Sequence, residues 1–173
     1  MKTAELYKIK EKGRTMRIKN FVRVTVVLLV WSVWTIAAPQ AQGQIDDSEL
    51  QRFQGTWVMI KAEMDGKKVH EAHVKQSRIT FVGDKVELIA PHQHKDTIVA
   101  SISKLDSTKN PKEMHWVRTV GPNAGTTMIA IYAFEGPDQY KICFDPAGSA
   151  APKGFGTKAG SGHIWQTWKR VKQ

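Results

Sequence analysis

The chain has one cysteine, Cys143, so it can form no internal disulfide and must be held together by core packing and hydrogen bonds. It contains no Gly-x-Ser-x-Gly, no glycine-rich phosphate loop and no His-Glu-x-x-His, and its acidic residues show no paired spacing. Those absences leave a hydrolase elbow, a nucleotide cradle and a zinc protease without sequence support. A dense basic stripe is missing too, although the net charge is +10. Eight of the 26 basic residues and two of the 16 acidic ones fall in 1–43, leaving 18 against 14. Beyond residue 43 the only basic doublets are Lys67-Lys68 and Lys169-Arg170. Nucleic-acid binding needs a concentrated positive surface, so that class is set aside.

Residues 1–43 differ from the rest. Lys2, Lys8, Lys10, Lys12, Arg14, Arg17, Lys19 and Arg23 precede an apolar run over 24–38, followed by Pro39-Gln40-Ala41-Gln42-Gly43. A basic region, an apolar stretch and small residues before a cut make a secretory signal. The run is shorter than the roughly 20 residues of a spanning helix. Ala41 and Gly43 place cleavage after Gly43, and Met16 offers an alternative start to a more ordinary signal. An uncleaved anchor is the alternative, and would be the chain's only membrane attachment. With no Cys near the cut, lipoprotein anchoring is excluded. The expected organisation is a signal peptide over 1–43 and one domain over 44–173, exported to the periplasm or outside the cell.

The domain reads as short strands. Runs at 55–63, 78–82, 85–90, 96–105, 113–120, 126–135, 139–145 and 163–171 are separated by turn signals such as Asp65-Gly66, Gly83-Asp84 and Gly136-Pro137-Asp138. Asp46-Asp47-Ser48 can cap a short helical turn through Phe53, and the β-poor 69–76 reads as a second helical turn. The Gly/Ala/Pro/Lys stretch 146–162 reads as a mobile loop. Eight closely spaced strands joined by hairpins predict an all-β, antiparallel up-and-down barrel, because closure removes exposed edges.

Gly55-Thr56-Trp57 opens the strand series and Lys169-Arg170 closes it. A Trp on the first strand and a guanidinium on the last can stack across the seam, with a cation–π gain of roughly 0.5–2 kcal/mol. Gly55, Trp57 and Arg170 are therefore the expected closure residues. This pattern resembles the lipocalin (calycin) signature. More closely, a series of stretches resembles a small secreted domain family of unknown function abundant in Planctomycetes. These include Gln54-Gly55-Thr56-Trp57, Thr80-Phe81-Val82-Gly83-Asp84-Lys85, Leu105-Asp106-Ser107-Thr108-Lys109-Asn110-Pro111-Lys112, Thr157-Lys158-Ala159-Gly160-Ser161-Gly162 and Trp168-Lys169-Arg170. Where that family often has Arg-Pro in its late loop, this chain has Ala151-Pro152. The resemblance implies a lipocalin-like barrel and brings no established activity.

Alternation along the runs offers Met59, Phe81, Leu88, Ile98, Ile102, Trp116, Met128, Tyr132 and Trp165 as inward residues, with Tyr132 the polar handle of any apolar pocket. Both a filled core and a cavity are compatible with this content. His92 and His94, two apart, could share a metal only with a third ligand that no spacing supplies, so no metal or cofactor is expected. Cys143 and His163 lie on consecutive strands, but Cys143 sits between Ile142 and Phe144 like a small buried hydrophobe. The expected function is non-catalytic binding of a small apolar ligand through the mouth opposite Trp57. The alternative is a solid-core module contacting a cell-envelope component through its loops.

Overall fold

Turn residues decide where this chain reverses, and the apolar alternation between them decides which face is buried. The structure is a computed structural model that describes residues 44–91 and 97–172. The expected signal peptide over 1–43 and the His92 and His94 pair lie outside the described residues. A short helix, α1 (Asp47–Phe53), leads into β1 (Gly55–Met64) and the two-residue β2 (Lys67–Lys68). A second helix, α2 (Glu71–Gln76), precedes β3 (Arg78–Val82), β4 (Lys85–Ile89), β5 (Ile98–Asp106), β6 (Lys112–Val120), β7 (Thr127–Phe134), β8 (Gln139–Asp145) and β9 (Ile164–Arg170).

Each long strand pairs antiparallel with the next, and β1 also pairs antiparallel with β9, closing an eight-stranded up-and-down barrel with β2 as a spur on β1. Both helical turns form where the sequence places them. Asp46 caps α1 by accepting from the Ser48 and Glu49 amides, and His70 caps α2 by accepting from the Ala72 amide.

The closure residues meet. Trp57 and Arg170 are register partners, and the guanidinium carbon lies 4.0 Å from the indole centroid. Gly55 takes a φ of +99°, a conformation open to glycine, on the strand edge beside this stack. The Trp57 indole donates to the Phe53 carbonyl at 2.7 Å, tying α1 across the barrel end. Phe53 fills that end, with ring centroids 4.7–5.3 Å from Phe81, Tyr132, Phe134 and Tyr140. This half of the interior is solid aromatic packing.

The 146–162 segment is not the mobile loop its composition predicts. Ile131, Cys143 and Trp165 are aligned by register across the outer faces of β7, β8 and β9. Cys143 donates to the Gly156 carbonyl at 3.5 Å, and Phe155 lies under the Lys141 ammonium at 4.7 Å. The segment thus covers an apolar row outside the barrel, and it is pinned to the Asp65-Gly66 turn. Gly66 donates to Thr157 Oγ1 at 2.8 Å, and Asp65 Oδ1 accepts from the Gly162 amide at 3.1 Å. A Cβ on Gly66 would lie 2.6 Å from the Ala159 backbone nitrogen, whereas one on Gly83 would meet nothing within 4 Å. Both glycines have positive φ. Gly83→Ala is therefore expected to lose about 1 kcal/mol from backbone strain alone. Gly66→Ala should lose about 2–3 kcal/mol, because it must also lift the docked segment. Urea unfolding of both variants checks this; equal losses would mean that the segment is not docked there.

Candidate functional site

At the barrel end opposite α1 the interior is hollow. A cavity of about 620 Å³ is bounded by the late part of β1, the start of β9, β4 through β8 and the residues around α2. Its volume is that of a small-ligand pocket. Leu88, Ile98, Trp116 and Met128 line it, as alternation predicts, together with Val86, Ala100, Phe144 and Ile164. Trp116 and Phe144 stack at 6.4 Å with an interplanar angle of 28°, giving the cavity a flat aromatic wall. His70 and His73, carried by the α2 region, border the mouth.

The remaining predicted interior residues fall elsewhere. Met59, Phe81, Ile102 and Tyr132 point inward but belong to the packed core and do not line the cavity. Tyr132 is not its polar handle. The Tyr132 hydroxyl donates to Glu49 Oε2 at 3.1 Å, in a cluster where Glu49 also accepts from Arg52 at 2.9 Å and Lys112 at 2.8 Å. Burial, and then the Glu49 charge, push the Tyr132 phenol well up, so it stays a neutral donor within that cluster.

Trp165 lies on the outer face, not within. In β9 the inward set is Ile164, Gln166, Trp168 and Arg170: Ile164 and Gln166 line the cavity, Trp168 is in the core, and Arg170 covers Trp57. Trp165 belongs to the other phase and packs against the Lys61 ammonium, 4.3 Å from its ring centroid. The requirement that Arg170 face Trp57 already fixes this phase, since residues two apart share a face.

Besides His70, His73 and Asn123, the cavity has two buried polar side chains that sequence reasoning missed, Arg118 and Gln166. Both are buried, at 8% and 2% exposure. Arg118 follows Trp116 by two residues on β6 and so shares its inward face. Its Nη1 donates to the Pro122 carbonyl and its Nη2 lies 3.2 Å from Met128 Sδ. Desolvation pulls the Arg118 guanidinium below its usual range. The side-chain carbonyl of Gln166 accepts from the Trp168 indole at 3.1 Å.

A second concavity of about 920 Å³ lies within the 145–163 loop. Its carboxylate is occupied: Asp145 accepts from the amides of Ala147 at 2.9 Å, Ser149 at 2.8 Å and Ala150 at 3.3 Å. Burial raises the Asp145 carboxyl, but those amides outweigh it and leave it below its usual value. Beside it, burial pushes the Cys143 thiol up, the direction opposite to that of an activated thiolate in a Cys143–His163 pair.

No protein-family model matches the chain, and no curated protein matches it. The likeness to the lipocalin signature thus rests on the closed eight-stranded barrel and the Trp57–Arg170 stack themselves.

Proposed function

We propose that this protein is an exported, non-catalytic carrier that buries a small, largely apolar ligand in the hollow half of its barrel. The observation that carries this reading is the 620 Å³ cavity with its apolar and aromatic walls. A barrel serving only as a rigid interaction module would gain stability by filling that volume, since apolar voids destabilise a core. Here the filling stops halfway, with Phe81 and Ile102 packed in the core while Ala100 and Val86 leave space beyond. Each buried CH₂ of a ligand would contribute about 0.8 kcal/mol.

Phenylnaphthylamine, a neutral apolar dye that brightens out of water, tests the reading. Saturable one-to-one binding is expected, with quenching of tryptophan emission as the dye reaches Trp116. Ala100→Phe, which projects a ring into the cavity from β5, should weaken it about tenfold, roughly 1.4 kcal/mol. A dye that fails to saturate, or that binds equally well to Ala100→Phe, would overturn the carrier reading.

A further inference from the structure

The buried side-chain atoms without a partner at this cavity, Arg118 Nε and Gln166 Nε2, are both donors. A guanidinium has five N–H donors and no acceptor, and Arg118 engages one carbonyl and one thioether while its Nε has no partner. Among the described residues no carboxylate pairs with it, and none of the cavity's lining residues is acidic. Gln166 adds a second free donor. The Trp168 indole nitrogen can only donate, so the Gln166 oxygen must face it, and Nε2 is the amide's remaining donor. That Nε2 is buried and has no partner either. Two buried donors, one of them charged, therefore share a largely apolar cavity to which the described residues bring no balancing charge.

Such an arrangement is costly in the empty protein. A buried charge without a counter-charge destabilises a fold, and so does a buried donor without an acceptor. Groups of this sort are retained where a ligand completes them. We infer that the cavity takes an amphipathic monocarboxylate, its apolar tail against the Trp116–Phe144 wall and its head group on Arg118 and Gln166. A planar carboxylate matches the guanidinium edge and has lone pairs left for the Gln166 amide. A phosphate dianion would bring two negative charges against the single positive charge of Arg118. The inference rests on the carrier reading above and names the chemical class of its ligand.

The test is competition against bound phenylnaphthylamine by dodecanoate and by dodecanol, which share a tail and differ in the charge of the head, at about pH 8, where the acid is ionised. Dodecanoate should bind the wild type at least about tenfold more tightly than dodecanol. In Arg118→Met that ratio should collapse to about one, and in Gln166→Leu it should fall part of the way. Arg118→Met should also melt no lower than the wild type, whereas an arginine kept for structure would lower the melting temperature when replaced. If dodecanol competes as well as dodecanoate in the wild type, the carboxylate assignment is wrong and the carrier reading stands. If the dye binds and neither compound displaces it, the assignment also fails. If the dye itself does not bind, both fall together. The wild-type ratio decides the matter even if Arg118→Met does not fold, and Gln166→Leu then supplies the second reading.

Discussion

Replacing Arg170 by alanine is expected to destabilise the protein by about 3–4 kcal/mol, although its side chain is 26% exposed. The guanidinium does three jobs at the seam. It covers the Trp57 indole at 4.0 Å. It donates to the carbonyls of Arg52, at 2.6 Å, and Gln54, at the C-terminal end of α1 where helix carbonyls are otherwise left without partners. It also approaches the Pro137 carbonyl at 3.4 Å and Asp138 at 3.4 Å, in the turn between β7 and β8. Hydrogen bonds from a charged donor contribute about 1.5–3 kcal/mol each when buried and less when solvent competes, while the ring contact adds roughly 0.5–2 kcal/mol. Alanine removes all of this at once and leaves the end of α1 unsatisfied. Arg170→Lys keeps the charge but not the planar fork, so it should recover less than half of the loss. Urea unfolding of both variants, in a cycle with Trp57→Leu, should give a coupling of about 1 kcal/mol or more between the two side chains. A loss below about 1 kcal/mol for Arg170→Ala would mean that strand pairing alone closes the barrel.

That seam was legible because its two halves are short motifs placed at the ends of the strand series. The strands themselves were legible because turn signals separate them, glycine-bearing at most reversals and proline-bearing on either side of β5. What failed was phase. The run 163–171 holds two tryptophans of opposite facing, and bulk alone does not say which is inside; Trp168 is, and Trp165 is not. The 126–135 run looks apolar on both faces because Ile131 is buried outside the barrel, in the row that the 146–162 segment covers. A loop that acts as a second layer turns an outer face into core, and no periodicity reveals that in advance.

The cavity was read half correctly for a related reason. Leu88, Ile98, Trp116 and Met128 follow from alternation, and the structure places all four around one space. Met59, Phe81, Ile102 and Tyr132 satisfy the same alternation, but depth along the barrel axis separates them from that space. Depth depends on which residues of neighbouring strands lie side by side, as in the pairing of Ile102 with Trp116 and of Tyr132 with Ile142. Arg118 was passed over because a charge argues against the interior, although its spacing from Trp116 argued for it. The exception to the hydrophobic rule is the informative residue.

Phe53→Ala should divide the two halves of the barrel experimentally. Phe53 is fully buried at the end of α1, with four aromatic rings around it and the Arg52 guanidinium 3.9 Å from the neighbouring Phe134 ring. Deleting a phenyl group from such a site typically destabilises by 3–5 kcal/mol, and about 4 kcal/mol is expected here. Relaxation is limited, because α1 is held by the Trp57 indole, by Arg170 and by the pairing of the Asp46 amide with the Leu105 carbonyl at 3.1 Å. Phe53→Leu should recover all but about 1.5 kcal/mol. The cavity lies at the other end and shares no lining residue with this cluster, apart from its contact through Phe81 to Trp116 at 6.2 Å. Binding per folded molecule should therefore change by less than about twofold, under roughly 0.4 kcal/mol. Calorimetric melting and dye titration on the same sample measure the two quantities side by side. A large loss of stability with binding intact would show that the aromatic half carries the fold and the hollow half carries the ligand. Binding lost along with the phenyl group would make the interior a single unit and refute that division.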